Sequence, residues 1–421
     1  MKRIFGDKLY GNATYLMVTS VVTSGLGFFF WTIVAGFYSV GEVGLASTII
    51  TSMMLLAALS TLGFDLGLVR FLPQLGKEKS DKLINSCLTL SGIFAILLPI
   101  IFLIGLRFWA PKLIPILWGN ILFTFFFILF TFVWLLGMLV DAVFIAKRTA
   151  KYIFIRNLVF SVIKLIIPFF VITLGAFGIF FSWGFSALIA FFIVLLYFIP
   201  KLGYGLRFFV DRAVIKPVFK FSMGNYVANF LGSSPYFLLP LLITHILSPE
   251  ITAYFYVSWM IAAILFMIPA AVSSSLLAEV STNEERFKEN LRRGIIFAYL
   301  LVIPGVFFIF LLGDRLLLLF GELYRDNALE PLKIFAFSAI LYSINIIYVA
   351  VNNIKKRVDL VVLVNGITAF ITLGVSYLLM ESYGLMGIAF AWTLSQIVVI
   401  LFIVCRHLGD FRRIVSFIIS R

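Results

Sequence analysis

Two cations, Arg156 and Lys164, stand inside an apolar run long enough to cross a bilayer. A charge at the bilayer centre costs about 2.5–3.5 kcal/mol even on the lenient insertion scale, so such residues mark partners or substrates. Asp141 and Arg156 lie almost equally far from the Lys147–Arg148 turn, on helices that would run antiparallel. An ion pair joining those helices is the preferred reading, with contact to a substrate as the alternative. Lys164 lies twelve residues into its span, a depth of about 18 Å at 1.5 Å per residue. Its mirror position on the preceding helix is near Val133, so the hairpin offers it no acid. Either it meets an anion in a cavity, or a distant acid or loss of its proton relieves it.

Other polar positions are weaker signals. Asp65 and Arg70 flank the inner end of the second span, where an arginine can simply snorkel to head groups. Asn225, Asn229, Ser233 and Tyr236 recur at helical spacing on the seventh span, and Asn12, Thr19, Ser20 and Thr23 do so on the first. Such stripes serve as glue between helices or as the lining of a cavity. Gly232, Pro235 and Pro240 are expected to interrupt the seventh span, and broken helices mark transporter sites. Enzyme chemistry is poorly supported. No Gly-x4-Gly-Lys-Ser/Thr phosphate loop and no Gly-x-Ser-x-Gly motif occurs. His245 and His407, with Cys87 and Cys405, have no metal-ligand spacing, and no metal or cofactor is expected. A membrane-embedded sugar transferase would carry paired external acids, whereas Glu42, Glu250, Asp314, Glu322, Asp326, Glu330 and Glu381 are scattered.

The elements that must position these residues are membrane helices. A chain of 421 residues that is 62% hydrophobic and 12% charged has more apolar side chains than a packed core can hold. Apolar runs predict an all-α integral membrane protein with twelve spans: 11–38, 43–69, 84–106, 119–145, 152–174, 179–200, 221–247, 252–279, 294–312, 331–354, 360–380 and 385–405. The net charge of +14 is not gathered on one face, so nucleic acid is not an expected partner. Instead, 26 of the 33 Lys and Arg residues fall at the termini, at Arg70 or in segments joining even to odd spans. The positive-inside rule then places both termini in the cytoplasm, with the protein in the cell membrane.

The chain also repeats itself. Leu174 to Ile189 (LGAFGIFFSWGFSALI) is matched by Tyr383 to Val398 (YGLMGIAFAWTLSQIV), 209 positions later. Lys147-Arg148 match Lys356-Arg357 at the same offset, and Glu42 matches Glu250 at 208. At 209, Lys164 meets Leu373 and has no counterpart. Six spans per copy is an even number, so the copies form parallel repeats. The expected organisation is an N-terminal bundle over 1–200, an amphipathic linker over 201–220, a second bundle over 221–405 and an amphipathic tail over 406–421.

Several segments are familiar. STLGFDLGLVRFLPQLGKEKSDKLI (60–84), SVGEVGLAS (39–47), LSPEITAYFYVSWMIAAILFMIPAAVSSSLLAEVS (247–281) and YGLMGIAFAW (383–392) resemble oligosaccharide flippases of the multidrug/oligosaccharidyl-lipid/polysaccharide (MOP) superfamily. The resemblance implies two six-helix bundles around a central cavity lined by the first, second, seventh and eighth spans. It implies alternating access for a polyprenyl-(pyro)phosphate-linked oligosaccharide, with glycan polymerases or glycosyltransferases of the same pathway as partners beside the membrane lipids. The candidate substrate-binding residues, taken from the charges and polar stripes above, are Lys164, Arg70, Arg156, Asp65, Asn12, Asn225, Asn229, Ser233 and Tyr236. One departure narrows the family. Nothing charged lies between Lys8 and Glu42, so the first span lacks both the arginines expected of peptidoglycan-precursor flippases and the acid of many cation-coupled exporters. A coupled small-molecule exporter on the same scaffold is the alternative.

Overall fold

A computed structural model describes residues 8–198, 207–278 and 284–406, together with residues 200, 203 and 205. His407, the 406–421 tail beyond Arg406, Leu206 and part of the 201–220 linker lie outside the described residues. Among the described residues there is no strand, and eleven helices are long and apolar enough to cross a membrane. The last, Val358–Arg406, has 49 residues, which would be about 74 Å of helix, more than twice a hydrocarbon core. Gly384 breaks it with φ 55° and ψ −133°, so it is two helices, which makes twelve candidate spans among the described residues. This is a multi-pass membrane protein.

Local chemistry sets the ends of these helices. Ser39 and Glu42 close a reciprocal capping box at the start of Val40–Ser60. Asn120 and Asp211 cap Ile121–Ala146 and Arg212–Ile246 by accepting backbone amides. Three expectations about boundaries are corrected. The second span ends at Ser60 rather than 69, because Leu62 (φ 53°) and Gly63 (φ 75°) turn the chain before the short helix Phe64–Phe71. The linker becomes helical at Arg212, inside the stretch read as interfacial. Gly232, Pro235 and Pro240 do not break the seventh span, which is helical from Arg212 to Ile246. A proline removes one bond and adds a steric clash, and neighbouring helices can absorb both within a membrane.

The repeat is visible in backbone conformation. Gly175 (φ 54°, ψ −136°) and Gly384 (φ 55°, ψ −133°) share a conformation open only to glycine, at the offset of 209. Arg148 (φ 56°) and Lys356 (φ 57°) form matching left-handed turns in which Thr149 N donates to Phe144 O and Arg357 N to Asn352 O. That match has offset 208, so Lys147-Arg148 correspond to Lys355-Lys356, not to Lys356-Arg357. Caps correct a second pairing. Ser39 Oγ accepts from Glu42 N and Ser248 Oγ from Ile251 N, so Glu42 corresponds to Ile251, not Glu250.

By contact, the chain forms two compact units. Unit one is Met1–Phe230 with Tyr236–Ala253, and unit two is Leu231–Pro235 with Tyr254–Arg421. In the first, Phe64, Leu68, Leu83, Leu135, Leu139 and Val218 belong to one buried cluster. In the second, Trp259, Phe266 and Tyr342 surround Trp392 with ring centroids 4.8–6.2 Å away.

Candidate functional site

Among the described residues Lys164 is the most buried cation of the first unit, 3% exposed. Its Nζ lies 4.3 Å from the ring centroid of Trp183, 4.7 Å from Phe160 and 5.4 Å from Phe30. Among the described residues it has no ion pair and no hydrogen bond. Each ring offers about 0.5–2 kcal/mol, against a desolvation cost of several kcal/mol for a buried ion. The cage holds the amine in place without satisfying it. On the first span, a Cβ added to Gly27 would find Nζ 4.0 Å away and no nearer side chain, so the backbone there leaves room beside the amine. Two more polar atoms close by are orphaned: Trp183 Nε1, and Ser161 Oγ one helical turn before the lysine.

The helix ends at this residue for a sequence reason. Pro168, four positions on, has no N–H to give the Lys164 carbonyl. The α-helix stops at Ile166 and continues as 3₁₀ turns through Leu174. Tyr38 Oη donates to Pro168 O at 2.8 Å and fixes the broken segment to the turn after the first span. Lys164 is thus fourteen residues from Ala150, about 21 Å from the Lys147–Arg148 turn rather than 18 Å.

The second unit shows what the same position does without a charge. Residues 161–170 and 369–378 have the same order of buried, half-buried and exposed positions, one for one, at offset 208. Lys164 therefore corresponds to Thr372 rather than Leu373, and Pro168 to Ser376. Thr372 Oγ1 donates to Ser395 Oγ, and Trp392 Nε1, the counterpart of Trp183 Nε1, donates to Ser338 Oγ. Asn345 Nδ2 donates to Gln396 Oε1 in the same buried layer. One repeat has a neutral network over an unbroken helix. The other has an unpaired cation, an orphaned indole N–H and a helix break.

The remaining sequence candidates separate into distinct places. Arg156 Nη2 donates to Asp141 Oδ2 at 2.7 Å and to Asn157 Oδ1 at 2.9 Å, which is the interhelical ion pair expected. Asn12 Oδ1 accepts the amide of Ala150 and holds the first span to the start of the fifth. Asp65 lies beyond the second span on Phe64–Phe71 with Oδ1 unpartnered, and burial raises its carboxyl above the ordinary range. Arg70 is exposed at the end of that helix. Asn229 and Ser233 are exposed on the seventh span, and Asn225 and Tyr236 are half-buried. Sequence reasoning missed the buried hydroxyl chain Thr48–Thr244–Thr252, with oxygens 2.6 and 2.7 Å apart, because threonines in apolar runs carry no distinguishing pattern.

Known proteins share this architecture. Residues 226–378 match the MatE family model. A solved structure titled the inward-facing conformation of a multidrug resistance MATE family transporter of the MOP superfamily is similar over 93% of this chain and 96% of its own, at 16% identity and TM-score 0.73. The lipid II flippase MurJ, in an inward closed conformation, is similar over 93% and 86%, at 12% identity and TM-score 0.74. The fold is that of the MOP superfamily. A further MOP transporter, from Pyrococcus furiosus, whose title describes a binding pocket of reversed polarity, covers 97% of this chain and 98% of its own, at 16% identity and TM-score 0.63. No curated protein matches the chain. At these identities the MOP fold is what is shared, and the side chains around Lys164 are read on their own chemistry.

Proposed function

We propose that this MOP-fold protein is a transporter that flips a polyprenyl-(pyro)phosphate-linked oligosaccharide from the cytoplasmic to the outer leaflet of the cell membrane. Its site would be exposed alternately to the two sides, with both termini in the cytoplasm. The observation that carries the reading is the unpaired Lys164 beside a helix break in one repeat only. A phosphate gives such an amine the charge-assisted hydrogen bonds that three aromatic rings do not. The orphaned Trp183 N–H and the aromatic faces suit sugar hydroxyls and sugar rings. Glycan polymerases or glycosyltransferases would supply and consume the substrate. Likeness to a protein titled a lipid II flippase supports lipid-linked cargo on this fold.

The second reading, export of small amphipathic compounds, draws on the multidrug transporter with the same fold. One comparison separates the two. A deletion strain that loses surface glycan while its lipid-linked precursor stays on the cytoplasmic leaflet supports flipping. Unchanged glycan with new sensitivity to cationic dyes supports export.

A further inference from the structure

A cavity of about 310 Å³ opens within the first unit between the fourth, fifth and sixth spans, and Phe160 is shared between its wall and the lysine cage. Its lining includes Trp134, Gly137, Asp141, Arg156, Asn157 and Phe191, an ion pair set among apolar and aromatic walls. The pair is reachable, with 17% of the Arg156 side chain and 21% of the Asp141 side chain exposed. It is also incomplete. Asp141 Oδ2 accepts from Arg156, whereas Asp141 Oδ1 is buried and meets no donor. Arg156 uses only Nη2, and its Nη1 fits against Gly137, where a Cβ would come within 2.6 Å. A guanidinium has five N–H donors, so the site offers an unfilled acceptor next to unfilled cationic donors.

From this geometry we infer a binding site for the head group of an amine-bearing phospholipid. The primary ammonium donates to Asp141 Oδ1, and the phosphate accepts from Arg156. Asp141 is five residues from the helix end at Ala146, about 8 Å, a depth at which head groups and glycerol meet the acyl region. Trp134, Phe160 and Phe191 face the glycerol and upper acyl carbons. The volume is at the small end for a ligand pocket, enough for a head group while the tails remain in the bilayer. Lys147, Arg148 and Lys151 at the adjoining turn favour lipid phosphate near the entrance. A phosphatidylglycerol lacks the ammonium, and a phosphatidylcholine has one with no N–H to donate.

The test is native mass spectrometry of the full chain titrated with dioleoyl-phosphatidylethanolamine, -phosphatidylglycerol and -phosphatidylcholine. The ethanolamine lipid is expected to bind about tenfold more tightly than either competitor, the value of one good charge-assisted hydrogen bond. The uncharged double substitution Asp141→Asn with Arg156→Gln should abolish that preference. Ala187→Trp, which fills the cavity and leaves the pair in place, should abolish it as well. Equal binding of the three lipids by the native protein, or a preference that survives Ala187→Trp, overturns the assignment.

Discussion

At the scale of single residues, the two intramembrane cations have different tasks although the sequence presents them alike. Arg156 is answered by Asp141 and Asn157, and Gly137 makes the geometry possible. Gly137→Ala should push the guanidinium off the acid and destabilise the protein by about 1–3 kcal/mol, as overpacking does, read from thermal unfolding of the purified protein. Lys164 is answered by no acid. Under the flippase reading, Lys164→Met should keep the cage packed and the protein in the membrane while glycan export falls about 10–100-fold, the weight of a charge-assisted hydrogen bond. Normal export in Lys164→Met cells would remove the lysine from the mechanism. Tyr38, at the turn between the first two spans, is pushed up to about 12 by burial and by the Glu42 carboxylate. A raised folded-state value means that Tyr38 supports the fold fully below pH 10, and that this support is lost as pH climbs from 10 to 12. Tyr38→Phe should flatten that part of an alkaline unfolding curve.

Among the elements, the fifth span matters most, because Pro168 ends its α-helix one turn beyond Lys164. Its counterpart, Ser376, lies in unbroken helix. Pro168→Ala restores a donor for the Lys164 carbonyl. It should raise stability by up to about 3 kcal/mol, the usual cost of an interior proline, while slowing transport if the break is a working joint. Unchanged transport in a stabilised Pro168→Ala protein would make the break incidental. Gly175 and Gly384 test the repeat in another way. Each holds φ near 55° with ψ near −135°, so alanine at either should cost about 1–3 kcal/mol of backbone strain. Comparable losses at both sites in melting experiments would support equivalent turns, and tolerance at one would break the equivalence.

For the whole molecule, the proposed orientation, with both termini in the cytoplasm, rests on the basic segments between even and odd spans. The two cysteines give a direct check. Cys87 is fully buried, and Cys405 is exposed near the end of the last helix. A membrane-impermeant maleimide should label one thiol per chain, at Cys405, in inside-out vesicles and none in right-side-out vesicles. Denaturation should raise labelling to two. Labelling in right-side-out vesicles would reverse the assigned topology.

The sequence determined the fold class and most of the repeat. Apolar runs of span length have one solution in lipid, the helix, because backbone groups there must bond within their own segment. The repeat was legible because 174–189 and 383–398 match at an offset of 209, with Gly175 and Gly384 at the same place in each copy. The Asp141–Arg156 pair was legible because the two residues are equidistant from a turn. What the sequence could not determine was register finer than one residue and the company each buried group keeps. A single extra residue between the turn at Lys356 and Gly384 moved Lys164 from Leu373 onto Thr372, and only three-dimensional burial showed it. Asn12 reads from its spacing as cavity lining or as glue between helices, and only the fold shows its oxygen accepting the Ala150 amide. The cage around Lys164 draws on residues 30, 160 and 183. Aromatic side chains are so common in this chain that no spacing rule could select those three. Tertiary packing selected them, because it alone sets which rings lie within reach of a buried charge.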